Sequence, residues 1–220
     1  MISKIILAIL AMAGGLVLFI VVTEGRYFGK TMMRGIYNQL GPGLFSKQSE
    51  VVKWQTLAQT LRLRGDERIL DVGTAIGDLP LSIAAMPDFG GQITGIDWSS
   101  RMIAAAQTTA KQRGLSDRVK FQVADVRIGL PFENSEFDVV ICLGVIEGLP
   151  QPEQILKELK RVLTPTGMMV LSLYKGWAAT NTALDIKWYE QHFDELGLKE
   201  LRIAPCRQSQ DVVIARSSWS

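Results

Sequence analysis

Hydrophobic and polar positions divide the chain into two unlike parts. From Ile5 to Val22 there are 18 residues without a charged side chain, close to the ~20 apolar residues that cross a bilayer core. This run predicts one N-terminal transmembrane helix, with a cleaved signal peptide and a buried core helix as the competing readings. Ala11-Met12-Ala13 resembles a cleavage site, but the apolar stretch continues well past it. Further on, Ser49 is placed to cap a helix reaching about Leu63, in which Val51, Val52, Trp54, Leu57, Ala58 and Leu61 keep helical spacing. From Glu67 the pattern alternates between short apolar runs and helical periods. Strands are expected near Arg68–Val72, Gln92–Ile96, Val119–Val123, Phe137–Leu143 and Gly167–Leu173, and helices near Asp78–Met86, Ser100–Arg113 and Pro152–Leu163. Ser99 is a natural cap for the second of these helices, and Pro152 suits the first turn of the third. The alternation argues a doubly wound α/β fold with a mostly parallel sheet covered on both faces. Toward the end a helix is expected near Asp185–Leu196, followed by strands at Lys199–Ala204 and Asp211–Ala215. These two form a hairpin across a short polar segment, so the last of seven strands runs antiparallel, at or near the sheet edge. The expected organisation is an anchor over 1–24, a juxtamembrane linker or lid over 25–48, and one α/β domain over 49–220.

Ligands of open parallel sheets bind beyond the carboxyl ends of the strands, where strand order reverses. The first such end carries Asp71, then small residues at Gly73, Ala75 and Gly77 with one residue between each. A dinucleotide fold wants Gly-x-Gly-x-x-Gly aimed at a pyrophosphate. A carboxylate at the turn repels phosphate and suits a cationic ligand. The second end carries Asp97 and Trp98: the acid can accept both hydroxyls of a ribose, and the indole can lie against an adenine face. The third carries Asp125 and Val126, where the carboxylate can hydrogen-bond an exocyclic amine. The fourth carries Leu143-Gly144, a bend that lets the chain approach a ligand closely. Three acids at three successive strand ends describe a pocket for a nucleoside with a cationic tail.

Composition narrows the partners. Lysine and arginine total 24 against 22 acids, a net charge of +2, which argues against a nucleic-acid partner that binds by phosphate neutralisation. Cys142 and Cys206 lack the close spacing of a zinc or redox pair and read as reduced. A single histidine, His192, excludes a multi-histidine metal centre, and no metal is expected. Lys4 alone precedes the apolar run, while Arg26, Lys30 and Arg34 follow it, so the positive-inside rule places the bulk of a single-pass protein on the cytoplasmic side. The stretch from Gly25 to Phe45 mixes these basic residues with Tyr27, Phe28, Met32, Met33, Ile36 and Tyr37 and ends at Gly41-Pro42-Gly43. It suits a membrane interface or a plain tether. Ala11 and Gly15 form a small-xxx-small pair through which the helix could self-associate.

Four segments in this order and spacing, ILDVGTAIGD, ITGIDWSSRMIAAAQ, FQVADVRIGLPFENSEFDVVICLGVIEGL and ILKELKRVLTPTGMMVLSL, resemble class I S-adenosylmethionine-dependent methyltransferases. The likeness is to the group that methylates small molecules and lipids such as quinones and sterols, and it runs from about Ile69 to Leu173. It implies that S-adenosylmethionine is the cofactor. Asp71 and the backbone of Gly73 would hold its methionine moiety, with Ala75 and Gly77 completing the turn. Asp97 would take the ribose, Trp98 with Asp125 and Val126 the adenine, and Leu143 the wall beside the sulfonium. The chain departs from the family pattern at Ala75, where glycine is usual, at Gly148, where many relatives have histidine, and at Pro165-Thr166-Gly167 in place of Pro-Gly-Gly. A base is needed only if the acceptor must lose a proton. The candidates are Glu147 after the fourth strand and Tyr37, which resembles a tyrosine that relatives place in an N-terminal lid. His192, beside Trp188, Tyr189 and Phe193, reads as a packing residue. The expected function is direct in-line methyl transfer to a small, lipophilic or membrane-associated acceptor. A membrane-tethered pseudoenzyme serving as a scaffold and a nicotinamide oxidoreductase are the alternatives.

Overall fold

A computed structural model describes Gly15 and residues 41–43, 51–175, 184–207 and 210–217. Among these, no helix is long and apolar enough to cross a membrane. The expected span at Ile5–Val22 lies, Gly15 apart, outside the described residues, as does Tyr37. Residues 41–43, expected to close a linker, are helical; the φ of Pro42, fixed near −65°, is compatible with helix.

The elements follow the order α1 (Val51–Thr60), β1 (Arg68–Val72), α2 (Asp78–Ala84), β2 (Gln92–Asp97), α3 (Ser100–Gln112), β3 (Val119–Val123), β4 (Phe137–Cys142), α4 (Pro152–Val162), β5 (Leu163–Tyr174), α5 (Ile186–Glu195), β6 (Leu198–Arg207) and β7 (Gln210–Ser217). Single 3-10 turns at Val126–Ile128 and Ile146–Gly148 follow β3 and β4. Ser99 caps α3 as its spacing foretold, its hydroxyl accepting from the Met102 amide at 3.3 Å. Pro152 opens α4, where its missing N–H is no loss. β5 begins at Leu163, four residues earlier than expected, and passes Thr164–Gly167 as an irregularity opposite Phe137–Val139.

The seven strands lie in the order β3-β2-β1-β4-β5-β7-β6. The first five are mutually parallel, and β7 runs antiparallel to both β5 and β6. The last strand is therefore inserted one place in from the edge, and β6 forms the edge itself. Alternate residues of each inner strand feed two cores. Ile69, Val139, Ile141, Met168, Val170, Val212 and Ile214 face α1, α2 and α3, while Leu70, Val140, Cys142, Met169, Leu171, Val213 and Ala215 face α4 and α5. Burial on both faces is what the near-continuous apolar runs of these strands require. Chain order moves outward through β1, β2 and β3, then restarts on the other side of β1 at β4. The switch point thus falls at the carboxyl ends of β1 and β4, which is where such sheets bind ligands.

Candidate active site

The turn after β1 is shaped first by the protein's own packing. Gly73 has φ +77°, and a Cβ there would fall 2.2 Å from a methyl of Val145 in the loop after β4. Gly77 has φ +81°, and its Cβ would overlap the ring of Phe121 on β3 at 2.6 Å. Two of the three small residues are thus demanded by neighbouring side chains before any ligand is considered. The third, Ala75, holds φ +48°, a left-handed conformation that costs a non-glycine residue on the order of 1 kcal/mol. Ala75 is held there by its amide, which donates to Asp97 Oδ2 at 3.0 Å. The amides of Gly73 and Thr74 both donate to the Ile96 carbonyl, at 2.8 and 2.9 Å, so the turn is clamped to the end of β2.

Asp97 is the centre of that clamp. Its Oδ1 accepts from the Ser99 amide at 2.8 Å while Oδ2 takes the Ala75 amide, and each oxygen retains capacity for a further donor such as a ribose hydroxyl. Burial raises its pKa, and the two amide hydrogen bonds only partly offset this. Asp71, one strand inward and 5% exposed, is pushed up to about 7, chiefly by burial and in small part by the Asp97 charge. The Thr74 hydroxyl lowers it, yet Thr74 Oγ1 meets no partner at hydrogen-bonding geometry. A buried carboxyl poised near neutrality, beside a second buried acid, has the chemistry to meet a cation: an ammonium beside it would offset the burial cost of the charged form.

At the end of β3, Asp125 and Trp98 come together through Arg127, a residue the sequence reading did not single out. Arg127 Nε donates to Asp125 Oδ1 at 2.7 Å, its Nη2 donates to Oδ2, and its guanidinium lies 5.3 Å from the Trp98 ring centroid. Val126 is buried beneath them. The loop that follows is pinned to α4 by Glu158 and Arg161: Glu158 accepts from the Leu130 amide, and Arg161 donates to the carbonyls of Leu130 and Phe132.

The fourth strand end supplies a polar network. β4 stops at Cys142, and Leu143 follows half-buried against the core. Gly144, at φ +70°, donates its amide to Ser172 Oγ at 2.7 Å, and the Ser172 hydroxyl in turn donates to Glu147 Oε1. Tyr189 of α5 donates its hydroxyl to the Ser172 carbonyl at 2.9 Å. Burial first and then the Glu147 charge push the Tyr189 pKa upward, so this phenol stays a neutral donor. Tyr174 completes the group, its hydroxyl 3.3 Å from where a Gly144 Cβ would stand. Ser172 lies 25 residues from Glu147 in sequence, and only the pairing of β4 with β5 joins them, so no local pattern announced the network. His192 stands on α5, stacked 4.1 Å from the Trp188 ring with Nδ1 on the Trp188 carbonyl. Apart from Tyr37, every residue expected at the site lies at the carboxyl ends of β1 to β4 or in the loops that follow them.

Comparison with known proteins places this geometry. The model of a methyltransferase domain family matches residues 63–212. A sterol 4-C-methyltransferase of Caenorhabditis elegans is 33% identical over 115 residues, which are 52% of this chain and 33% of that protein. A demethylmenaquinone methyltransferase of Thermus thermophilus is 36% identical over 121 residues, 54% of this chain and 53% of that protein. The chain thus spans a third of the first relative's length and about half of the second's. Among solved structures, a SAM-dependent methyltransferase from Aquifex aeolicus superposes with a TM-score of 0.67 at 18% identity, covering 80% of this chain and 98% of that one, and shows the same fold. With the family model running from just before β1 into β7, and with Asp71, Asp97 and Asp125 at the three strand ends it spans, the chain belongs to the class I S-adenosylmethionine-dependent methyltransferase family.

Proposed function

We propose that the chain transfers a methyl group by direct in-line displacement to a small lipophilic acceptor met at a membrane surface. S-adenosylmethionine, when bound, supplies an electrophilic sulfonium methyl. The residues present fit it. Asp97 has acceptor capacity for ribose hydroxyls, and Trp98, Asp125 and Val126 form an adenine end. Asp71 suits an ammonium, as does the carbonyl of Gly73, whose amide is spent on Ile96. In-line transfer asks the protein mainly to align the nucleophile and exclude water. The network of Ser172, Tyr174 and Tyr189 lies beside Leu143, where an acceptor hydroxyl or carbonyl would be held. Glu147, fixed by Ser172, is the group placed to take a proton from an acidic acceptor. In this reading Tyr37 belongs to a lid over 25–48 that closes on the pocket.

The acceptor class rests on one observation, the uncharged run from Ile5 to Val22 followed at once by Arg26, Tyr27, Phe28 and Lys30. Such a run anchors the protein in a bilayer, with the basic and aromatic residues at its interface and the catalytic domain on the cytoplasmic side. Relatives named as sterol and demethylmenaquinone methyltransferases support a lipophilic acceptor. Membranes carrying the full chain, incubated with methyl-labelled S-adenosylmethionine, should place label in extracted lipids and quinones. Label confined to soluble metabolites contradicts the proposal. In the same assay Glu147→Gln should keep cofactor binding and lower transfer by about 10²-fold or more, whereas an unchanged rate removes Glu147 from the chemistry.

A further inference from the structure

Two of the groups assigned to the adenine, Trp98 and Asp125, are already engaged by one side chain. The Arg127 guanidinium lies 5.3 Å from the Trp98 ring centroid. Its Nε donates to Asp125 Oδ1 at 2.7 Å and its Nη2 to Oδ2, while the backbone amide of Arg127 donates to Oδ1 at 3.1 Å. A guanidinium is flat and delocalised, with N–H donors along its edge, and it stacks on aromatic faces. An adenine is also flat, stacks on the same kind of face, and presents an exocyclic amine at its edge. The two would make the same kinds of contact, one with an indole face and one with the carboxylate, and they compete where they take the same face of Trp98 and the same oxygens of Asp125.

We propose that Arg127 is a built-in competitor for the adenine: its guanidinium holds the adenine end of the pocket and must leave Trp98 and Asp125 for a nucleoside to bind. This rests on the methyl-transfer reading of the site. The exchange is within reach of ordinary side-chain motion. Arg127 and Asp125 side chains are 25% and 24% exposed, so the guanidinium can swing into water and regain hydration there. The 3-10 turn that carries Arg127 need not move, since the Arg127 amide keeps its own bond to Asp125. Displacement also selects the base. An incoming edge must offer a donor to Asp125 in place of the guanidinium, which favours an amine-bearing purine over one with a carbonyl there. Cofactor affinity is accordingly set lower than the pocket alone would give, and it depends on salt through the internal ion pair.

The test is calorimetric titration of the full chain, Arg127→Met and Arg127→Lys with S-adenosylhomocysteine, which carries adenine but no sulfonium charge. Melting curves would establish that each variant is folded. Methionine keeps the apolar length and removes the competing cation, so Arg127→Met should bind about tenfold more tightly at low salt. That advantage should shrink at high salt, where the wild-type ion pair is screened. Arg127→Lys, which keeps charge but loses the planar fork, should fall between the two, and it decides the matter alone if the methionine variant does not fold. Equal or weaker binding by the variants, with the wild type binding normally, overturns this inference and leaves the functional reading standing. Absence of binding by all three proteins overturns both.

Discussion

Asp71 carries an electrostatic tension, because burial pushes its pKa up to about 7 while an unfolded chain would hold it near 3.8. Between those values the folded protein retains a proton that the unfolded chain has released, so stability falls as pH rises from about 4 to about 7 and is flat above. Replacing the carboxyl by an amide of the same shape removes that dependence. Asp71→Asn should therefore gain stability relative to the wild type at pH 8 but not at pH 4, by on the order of 4 kcal/mol. Denaturant unfolding of both proteins at the two pH values measures it, and an equal difference at both would show that Asp71 is not held protonated. On the proposed reading of the site, a ligand ammonium would favour the charged carboxylate that burial opposes. Ala75 makes a complementary point. Its φ of +48° keeps the turn on a left-handed path at modest conformational cost, with the Asp97 carboxylate holding its amide.

The turn between β1 and α2 is built against its neighbours, and this can be measured without any ligand. Gly73→Ala would place a Cβ 2.2 Å from Val145 and force φ +77° on an alanine, so a loss of about 3 kcal/mol is expected. Shortening the neighbour should recover part of it. A double-mutant cycle with Val145→Ala should return a coupling on the order of 1 kcal/mol or more, and strict additivity would mean that the β4 loop does not press on the turn. The alternation of strands and helices, the β1 turn and three acids at strand ends were legible because each is a local pattern: apolar runs of period two, small residues at fixed gaps, a carboxylate after a strand. What escaped notice depends on neighbours distant in sequence. Ser172 meets Glu147 only because β5 lies beside β4, and Arg127 meets Trp98 only because β3 lies beside β2. The place of β7 was half legible. Val212, Val213, Ile214 and Ala215 are all buried, a continuous apolar run of the kind an inner strand shows, whereas β6 buries Leu198 and Ala204 and exposes Ile203. Reading the hairpin by that contrast would have put β7, not β6, against β5.

Taken whole, the molecule sets a two-cored α/β domain, with its candidate site at the β1/β4 switch point, after an uncharged stretch at Ile5–Val22. The small surplus of positive charge, +2 overall, gives little long-range pull toward nucleic acid. The turn at Asp71 suits a sulfonium and an ammonium, and its carboxylates oppose a pyrophosphate. Titration of the full chain with S-adenosylmethionine and, separately, with NAD decides between those ligands. We expect saturable binding of one S-adenosylmethionine per chain and none of NAD; binding of NAD, or of neither ligand, would contradict the assignment of this pocket to methyl transfer.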